Sequence, residues 1–520
     1  MVQRDQLLLM PPSVAEWLPE GHLAWFVLDV VEQLDLSGFR ARYRVDGRGG
    51  AAYDPAVMVA VLVYGYCLGD RSSRRIERRL VEDVAYRVVA ANAQPDHATI
   101  ARFRADHETA IEDLFGQVLA LCVAAGLVKV GVVALDGTKM EAAAAKAANL
   151  DDERLRQAMR AEARRILEEA KAVDAAEDEQ FGEARGDELP PELADRSRRL
   201  VRLRQAKARL DEAQAERDAR EAATAAKREA DAAAGRKPRG RKPTKPVPDQ
   251  KPLLVNTTDP ESRLMKIPGG FCQGYNAQAV ASEDQVIVAA ELSDRAVDSD
   301  QFEPMLAATR ANLAAAGVGC PIQTLLADAG YYSTANATLD TDIDVLIAPR
   351  KAHKLPTEPL EAPPDEVAAT DRAEAELVAH RAVVFEQIAA GDLTLAQAAT
   401  ELGLARSTMK TLWWRYSHHG PGVLVRKRRA NGEGLHPRHR TQPDTKARME
   451  ARLASEHGRT LYRRRAQIIE PVFGQIKDPR GIRRFQRRGL NACASEWKLI
   501  TATHNLLKLW RHGHTSLAGC

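Results

Sequence analysis

The sequence predicts an α/β chain whose mixed sheet follows an all-α N-terminal domain and is interrupted by two helical insertions. Three observations carry that reading. The run Gly131-Val132-Val133-Ala134-Leu135-Asp136-Gly137-Thr138-Lys139 stays apolar up to one carboxylate and a glycine, as a buried central strand with a site at its tip would. Gln323 to Tyr331 repeats the design, with Asp328 at the strand end and Gly330 two positions on. Two long stretches, 150–234 and 356–460, then break the strand signals with helical composition. Alone, Asp136 reads equally as an ordinary strand-to-turn aspartate.

The 520 residues allow two or three domains, each able to bury a core. Residues 1–128 read as a helical N-terminal domain. Trp25, Phe26, Leu28, Val30 and Val31 share one amphipathic segment, and Pro55 suits the first turn of a helix through Leu68. Arg71, Arg74, Arg75, Arg78 and Arg79 group on one helical side. They form either a DNA face or a helix salt-bridged to Glu77, Glu82 and Asp83. Asp96, before Thr99-Ile100, reads as an N-cap rather than as a metal ligand with His97.

Residues 129–149 carry the first part of the core. In 150–234, Leu200, Leu203, Leu210 and Ala213 form a narrow apolar stripe among mixed charges. A helical hairpin or short antiparallel coiled coil follows, closed by a turn at 186–191, packing on itself or pairing between protomers. The basic, proline-rich linker at 235–252 has no means of forming a core. Its Pro-Arg-Gly-Arg centre, with Arg239 and Arg241, resembles an AT-hook that enters a narrow minor groove, although a simple basic linker is the favoured reading.

The second part of the core, 253–355, opens with a hairpin of Gly274–Val280 and Gln285–Leu292. Asp294, Asp298 and Asp300 follow it; capping of a helix from Phe302 explains at least one more cheaply than ligation does. Another strand is expected at Asp344–Arg350. Within the insertion at 356–460, residues 386–416 fit a helix-turn-helix. Ala399 allows close approach, Gly403 turns, Leu404, Met409 and Leu412 point inward, and Ser407 caps the second helix. Arg406, Thr408, Lys410 and Thr411 would then face a major groove. The alternative is a plain helical hairpin in an inserted lid.

Residues 461–520 complete the core. Pro471 disfavours helical geometry at Glu470, so a helix start or kink is expected there, with the carboxylate exposed. The net charge is only +3, but residues 423–489 hold nineteen Lys/Arg against six Asp/Glu, an electrostatic footprint for phosphates around Glu470. Two strand-end aspartates and a helical glutamate make a hard-oxygen cage for Mg²⁺ or Mn²⁺. Such a cage can hold two ions about 3.5–4 Å apart for in-line attack on a phosphodiester.

Several motifs in this order resemble a DDE transposase of a bacterial insertion sequence. They are Asp136-Gly137-Thr138-Lys139, Gly274-Tyr275-Asn276-Ala277-Gln278, Asp328-Ala329-Gly330-Tyr331, Glu470-Pro471-Val472-Phe473-Gly474-Gln475-Ile476-Lys477, and a tail from Glu496-Trp497 to His504-Asn505-Leu506. The resemblance implies a ribonuclease-H-like core in which Asp136, Asp328 and Glu470 hold two Mg²⁺ or Mn²⁺ ions. It also implies that Tyr462, Arg465 and Lys477 contact DNA, as in a Tyr, Arg, Glu, Lys signature whose spacing here departs by about one residue. The implied partners are double-stranded terminal inverted repeats and target DNA, held by a homodimer or larger synaptic complex. A DNA-binding regulator whose chemistry is lost, or a metal-dependent nuclease without strand transfer, would use the same parts. Six scattered cysteines without a close pair point to a reducing compartment. No apolar run nears the roughly 18 residues of a membrane span, so a cytoplasmic, nucleoid-associated protein without a membrane partner is expected.

Overall fold

The computed structural model describes residues 16–43, 52–181, 191–233, 252–350, 380, 383–402, 409, 410, 412, 413, 416, 417 and 445–513. Arg239, Arg241 and Arg406 lie outside them, as do Gly403, Leu404, Ser407, Thr408 and Thr411. The chain forms two compact units, 1–355 with 456–520, and 356–455.

Seven helices begin the first unit: α1 (Leu23–Gln33), α2 (Ser37–Arg40), α3 (Pro55–Leu68), α4 (Ser73–Glu82), α5 (Val84–Val89), α6 (His97–Asp106) and α7 (Glu108–Ala124). Local chemistry starts them where expected. Asp54 caps Ala56 N–H with Pro55 in the first turn of α3, and Asp96 accepts from Thr99 N–H at 2.7 Å. From Met58 to Cys67, α3 is buried on every side, because α1 and α5 cover part of it and the last helix, α16 (Leu490–Arg511), covers more. The N-terminal helices thus share a core with the C-terminal end of the chain.

The basic helix α4 divides its charges. Arg75 pairs with Asp70 at 2.6 Å, and Arg79 reaches both Asp70 (3.5 Å) and Asp83 (3.4 Å). Arg71 turns inward to Glu496 at 3.0 Å, whereas Arg74 and Arg78 are exposed. The principal acidic partner is therefore Asp70, which precedes the helix, rather than Glu77 or Glu82.

Six strands build one mixed sheet: β1 (Val132–Glu141), β4 (Arg263–Ile267), β5 (Gly270–Ala281), β6 (Ile287–Ser293), β7 (Thr324–Ala327) and β8 (Asp344–Ile347). The path is β4-β5-β1-β7-β8, with β6 also on β5. β1 runs antiparallel to β5 and parallel to β7, which is parallel to β8. β5 and β6 form the expected hairpin beside β1. Helix α10 (Phe302–Ala315) packs on β6, and the short α11 (Thr334–Ala337) follows β7.

Between β1 and β4 the chain leaves the sheet. Helices α8 (Asp152–Phe181) and α9 (Pro191–Ala233) pack together, with Leu155, Leu203, Ala206 and Leu210 buried between them and Val255. A two-stranded ribbon of β2 (Asn149–Leu150) and β3 (Val255–Asn256) closes the base of this hairpin. Among the described residues, the buried part of the apolar stripe lies at the end near the ribbon.

In the second unit, Thr394 and Gln397 form a capping box on α12 (Leu395–Glu401). Val384, Phe385, Ala398, Ala399 and Met409 are buried together, with Leu412, Trp413 and Tyr416 packed against them. Lys410 is exposed, and α13 (Thr445–Ala454) closes the unit. The first unit resumes with α14 (Glu456–Ile468) and α15 (Glu470–Lys477), which precede α16.

Helix α16 is nearly all buried, against α7, β6 and α3, and its motif residues fasten it. Trp497 Nε1 donates to the Gln278 carbonyl at 3.0 Å. Glu496 accepts from the N–H groups of Gln486 and Arg487. Arg480, buried before the helix, donates to the carbonyls of Tyr66 and Ile500. The Glu-Trp to His-Asn tail is thus a docking device that joins sheet, helices and chain end.

Candidate active site

Register brings the two aspartates together. Leu135 pairs with Ala327 across the parallel β1/β7 ladder, so the residues that follow, Asp136 and Asp328, lie side by side; Asp328 comes just past the end of β7, whereas β1 runs on through Asp136 to Glu141 instead of ending there as expected. Both bend back onto local backbone: Asp136 Oδ1 accepts from Gly137 N–H at 2.8 Å, and Asp328 Oδ1 from Gly330 N–H at 2.9 Å. Burial pushes the Asp136 carboxyl up to about 6; Arg465 pulls it down and the Asp328 charge pushes it further up.

Glu470 arrives from the helices. α14 ends at Ile468 and α15 restarts at Glu470 with Pro471 in its first turn, the break the proline was expected to cause. This leaves the Glu470 side chain 57% exposed, one turn beyond Arg465. Arg465 joins the acids: Nη1 donates to Asp136 Oδ2 at 3.0 Å and Nη2 to Glu470 Oε1 at 3.2 Å. Burial works against its charge, but Asp136, Tyr462 and Asp328 outweigh burial and raise its pKa. Burial pushes the Tyr462 phenol up to about 12, with Arg465 beside it acting the other way.

Lys477, which the resemblance assigned to DNA, turns onto β1. Its ammonium donates to Thr138 Oγ1 and, at 3.4 Å, to the Lys139 carbonyl, so it braces α15 on β1. Burial lowers its pKa.

The residue that sequence reading undervalued is Asp298. Its carboxylate caps neither the short turn it begins nor α10. Instead Oδ1 accepts from Lys139 Nζ at 3.0 Å, Asn276 Nδ2 at 2.7 Å and Gln278 Nε2 at 3.1 Å. Asn276 and Gln278 sit two apart on β5, opposite Lys139 and Gly137, so one face of the β1/β5 ladder supplies all three donors. Tyr331 extends the network by donating to Gln278 Oε1, and it is fully buried. Burial, then the charges of Asp136, Asp298 and Asp328, raise its pKa well above the usual phenol value. The sequence held one signal, the alternating Asn and Gln of the Gly-Tyr-Asn-Ala-Gln motif, but nothing local linked it to an aspartate 20 residues on.

Two glycines permit this closeness. A Cβ on Gly137 would lie 2.4 Å from Gln278 Nε2 and 3.0 Å from both Asn276 Oδ1 and Asp298 Oδ1. A Cβ on Gly330 would lie 3.0 Å from both Asp298 Oδ2 and Asp328 Oδ1. Asp298 therefore stands between the two aspartate loops.

Carboxylate oxygens are the donors that Mg²⁺ and Mn²⁺ prefer, so the chemistry of the set fits such ions. As the side chains stand, no three His, Cys, Asp or Glu among the described residues converge as a ready-made ion site. A guanidinium bridges two of the acids instead.

Residues 12–106 match a family model described as a transposase domain (DUF772), and residues 426–510 match one described as a transposase DDE domain. Together the two matches support a DDE transposase of an insertion sequence. Tyr462, Arg465, Glu470 and Lys477 fall within the second matched segment, whereas Asp136 and Asp328 lie outside both. No curated protein and no solved structure matches the chain. Among the described residues, no helix is long and apolar enough to cross a membrane.

Proposed function

We propose that the transposase cuts the ends of its own element and joins them to target DNA at Asp136, Asp328 and Glu470, within a ribonuclease-H-like core. The observation that carries this reading is the pairing of Asp136 with Asp328 by strand register, with Glu470 tied to Asp136 through Arg465. Four strands joined by antiparallel pairing, β4, β5, β6 and β1, continued from β1 by two parallel ones, make a mixed sheet of the kind such a core needs.

Asp136, Asp328 and Glu470 would hold two Mg²⁺ or Mn²⁺ ions, whose chemistry is to activate a water or 3′-hydroxyl and to stabilise the leaving oxygen. The chain's own residues set the geometry. Strand pairing fixes the two aspartates, and the Pro471 break presents Glu470 at the surface. Arg465 and Tyr462 lie where a phosphodiester must approach the acids. No covalent protein nucleophile is needed. Lys410, and the outlying Arg239, Arg241 and Arg406, are proposed to contact the terminal repeats. Joining two ends calls for a homodimer or larger assembly, to which the α8/α9 hairpin is a candidate contributor.

The test is a strand-transfer assay with Mg²⁺, labelled element ends and supercoiled target. Wild type should give joined product, while Asp136→Asn, Asp328→Asn and Glu470→Gln should still bind the ends without cutting them. Cutting without joining would leave a nuclease. Full cleavage by any one variant would remove that residue from the site.

A further inference from the structure

The Asp136–Glu470 pair is already bridged by a cation belonging to the chain. Arg465 reaches both carboxylates with separate nitrogens, at 3.0 and 3.2 Å, and its side chain is only 15% exposed. A carboxylate engaged in this way offers less to a divalent ion, and the guanidinium repels a second positive charge brought within a few ångströms. Moving Arg465 out alone would strand one charge and unpair two others at a half-buried site. It needs another anion to receive it. A phosphodiester matches the planar fork of the guanidinium, and α14, which carries Arg465, also exposes Arg463 two positions earlier.

We propose that Arg465 is a latch that couples divalent-metal binding to DNA binding. In the free chain it takes the place of a cation between Asp136 and Glu470; a DNA phosphate draws it away and so frees the acids. The latch rests on the reading of Asp136, Asp328 and Glu470 as metal ligands. Coupling between two ligands is reciprocal, so DNA must strengthen metal binding by the factor by which metal strengthens DNA binding. A nuclease that loads metal only when a phosphate arrives is protected from unproductive chemistry on water.

The test titrates Mn²⁺ into the full-length chain and follows unbound ion by electron paramagnetic resonance, with and without a short duplex of arbitrary sequence at low salt. Wild type should bind Mn²⁺ weakly alone and about ten-fold more tightly with the duplex, within the usual range of such couplings. Arg465→Gln should bind Mn²⁺ tightly without DNA and gain nothing from it. Arg465→Lys keeps the charge but cannot span both acids, so it should show a smaller gain, and it stands in if Arg465→Gln does not fold. Affinity no higher than wild type in the folded arginine variants, with Asp136→Asn abolishing Mn²⁺ binding, would overturn the latch and leave the metal site intact. Mn²⁺ binding unchanged in both Asp136→Asn and Glu470→Gln would instead overturn the metal site, and the latch with it.

Discussion

Asn505 grips the first residue of β6 from both directions: its Oδ1 accepts from Ile287 N–H and its Nδ2 donates to the Ile287 carbonyl, each at 2.8 Å. The strand edge that would otherwise face an apolar helix is satisfied by a side chain. Asn505→Ala leaves a buried donor and acceptor unpaired and should destabilise the fold by about 2–4 kcal/mol. Asn505→Asp, which keeps the acceptor alone, should also destabilise it. Urea unfolding measures both, and stability within error of wild type for Asn505→Ala would show that the pairing contributes nothing.

The elements that carry their own local signal were legible in the sequence. The β1 and β7 strands, the β5/β6 hairpin, the helix start at Pro55, the cap at Asp96 and the break at Pro471 all follow from composition over a few residues. The roles of Asp298, Arg465 and Lys477 were not, because each is fixed by a partner on another element. Asp298 looked like a cap since a helix begins soon after it, yet three donors from β1 and β5 outcompete that local role. Lys477 faces β1 rather than open solvent because α15 packs there, which helical periodicity alone cannot reveal. The burial of Arg71, just before α4, on Glu496 likewise depends on a helix more than 400 residues away.

His504 predicts a pH dependence of stability. It is fully enclosed, and burial holds its pKa down at about 3, with nearby Arg480, Lys508 and Arg511 acting the same way, while Nε2–H donates to the Gln285 carbonyl at 3.0 Å. The unfolded chain takes up this proton near pH 6.5, its ordinary value, whereas the folded chain resists it until about 3. The contribution is therefore intact above 6.5 and is lost progressively as pH falls toward 3. His504→Gln retains a donor without a titrating ring. Its melting temperature should fall less than wild type's between neutral and mildly acidic buffer; parallel curves would refute the assignment.

Gly137→Ala tests the close packing behind Asp136. The added methyl meets Gln278 Nε2 at 2.4 Å, and Gln278 cannot retreat without releasing Asp298 and Tyr331. Overpacking of this kind costs about 1–3 kcal/mol, and it displaces Asp136 from its register with Asp328. The expectation is a lowered melting temperature together with a loss of end cleavage greater than ten-fold, since small misplacements of reacting groups cost about 100-fold. Unimpaired cleavage would show that β1 tolerates rearrangement beside Asp136.

Asp298 and Lys139 make the last prediction, because their pairing separates charge balance from shape. Asp298→Asn preserves volume but leaves the Lys139 ammonium, at 3.0 Å, without a counter-ion while Asn276 and Gln278 still point at the same oxygen. Both side chains retain some exposure, so the penalty should fall below that of a fully buried pair, at about 1–3 kcal/mol. Lys139→Met alone should cost less, since Asp298 keeps its two amide donors. In the double variant the orphaned ammonium is gone, so it should be more stable than Asp298→Asn alone. Equilibrium unfolding of all four proteins closes the cycle. Strict additivity would mean that Asp298 serves the amides of β5 and that Lys139 is incidental to it.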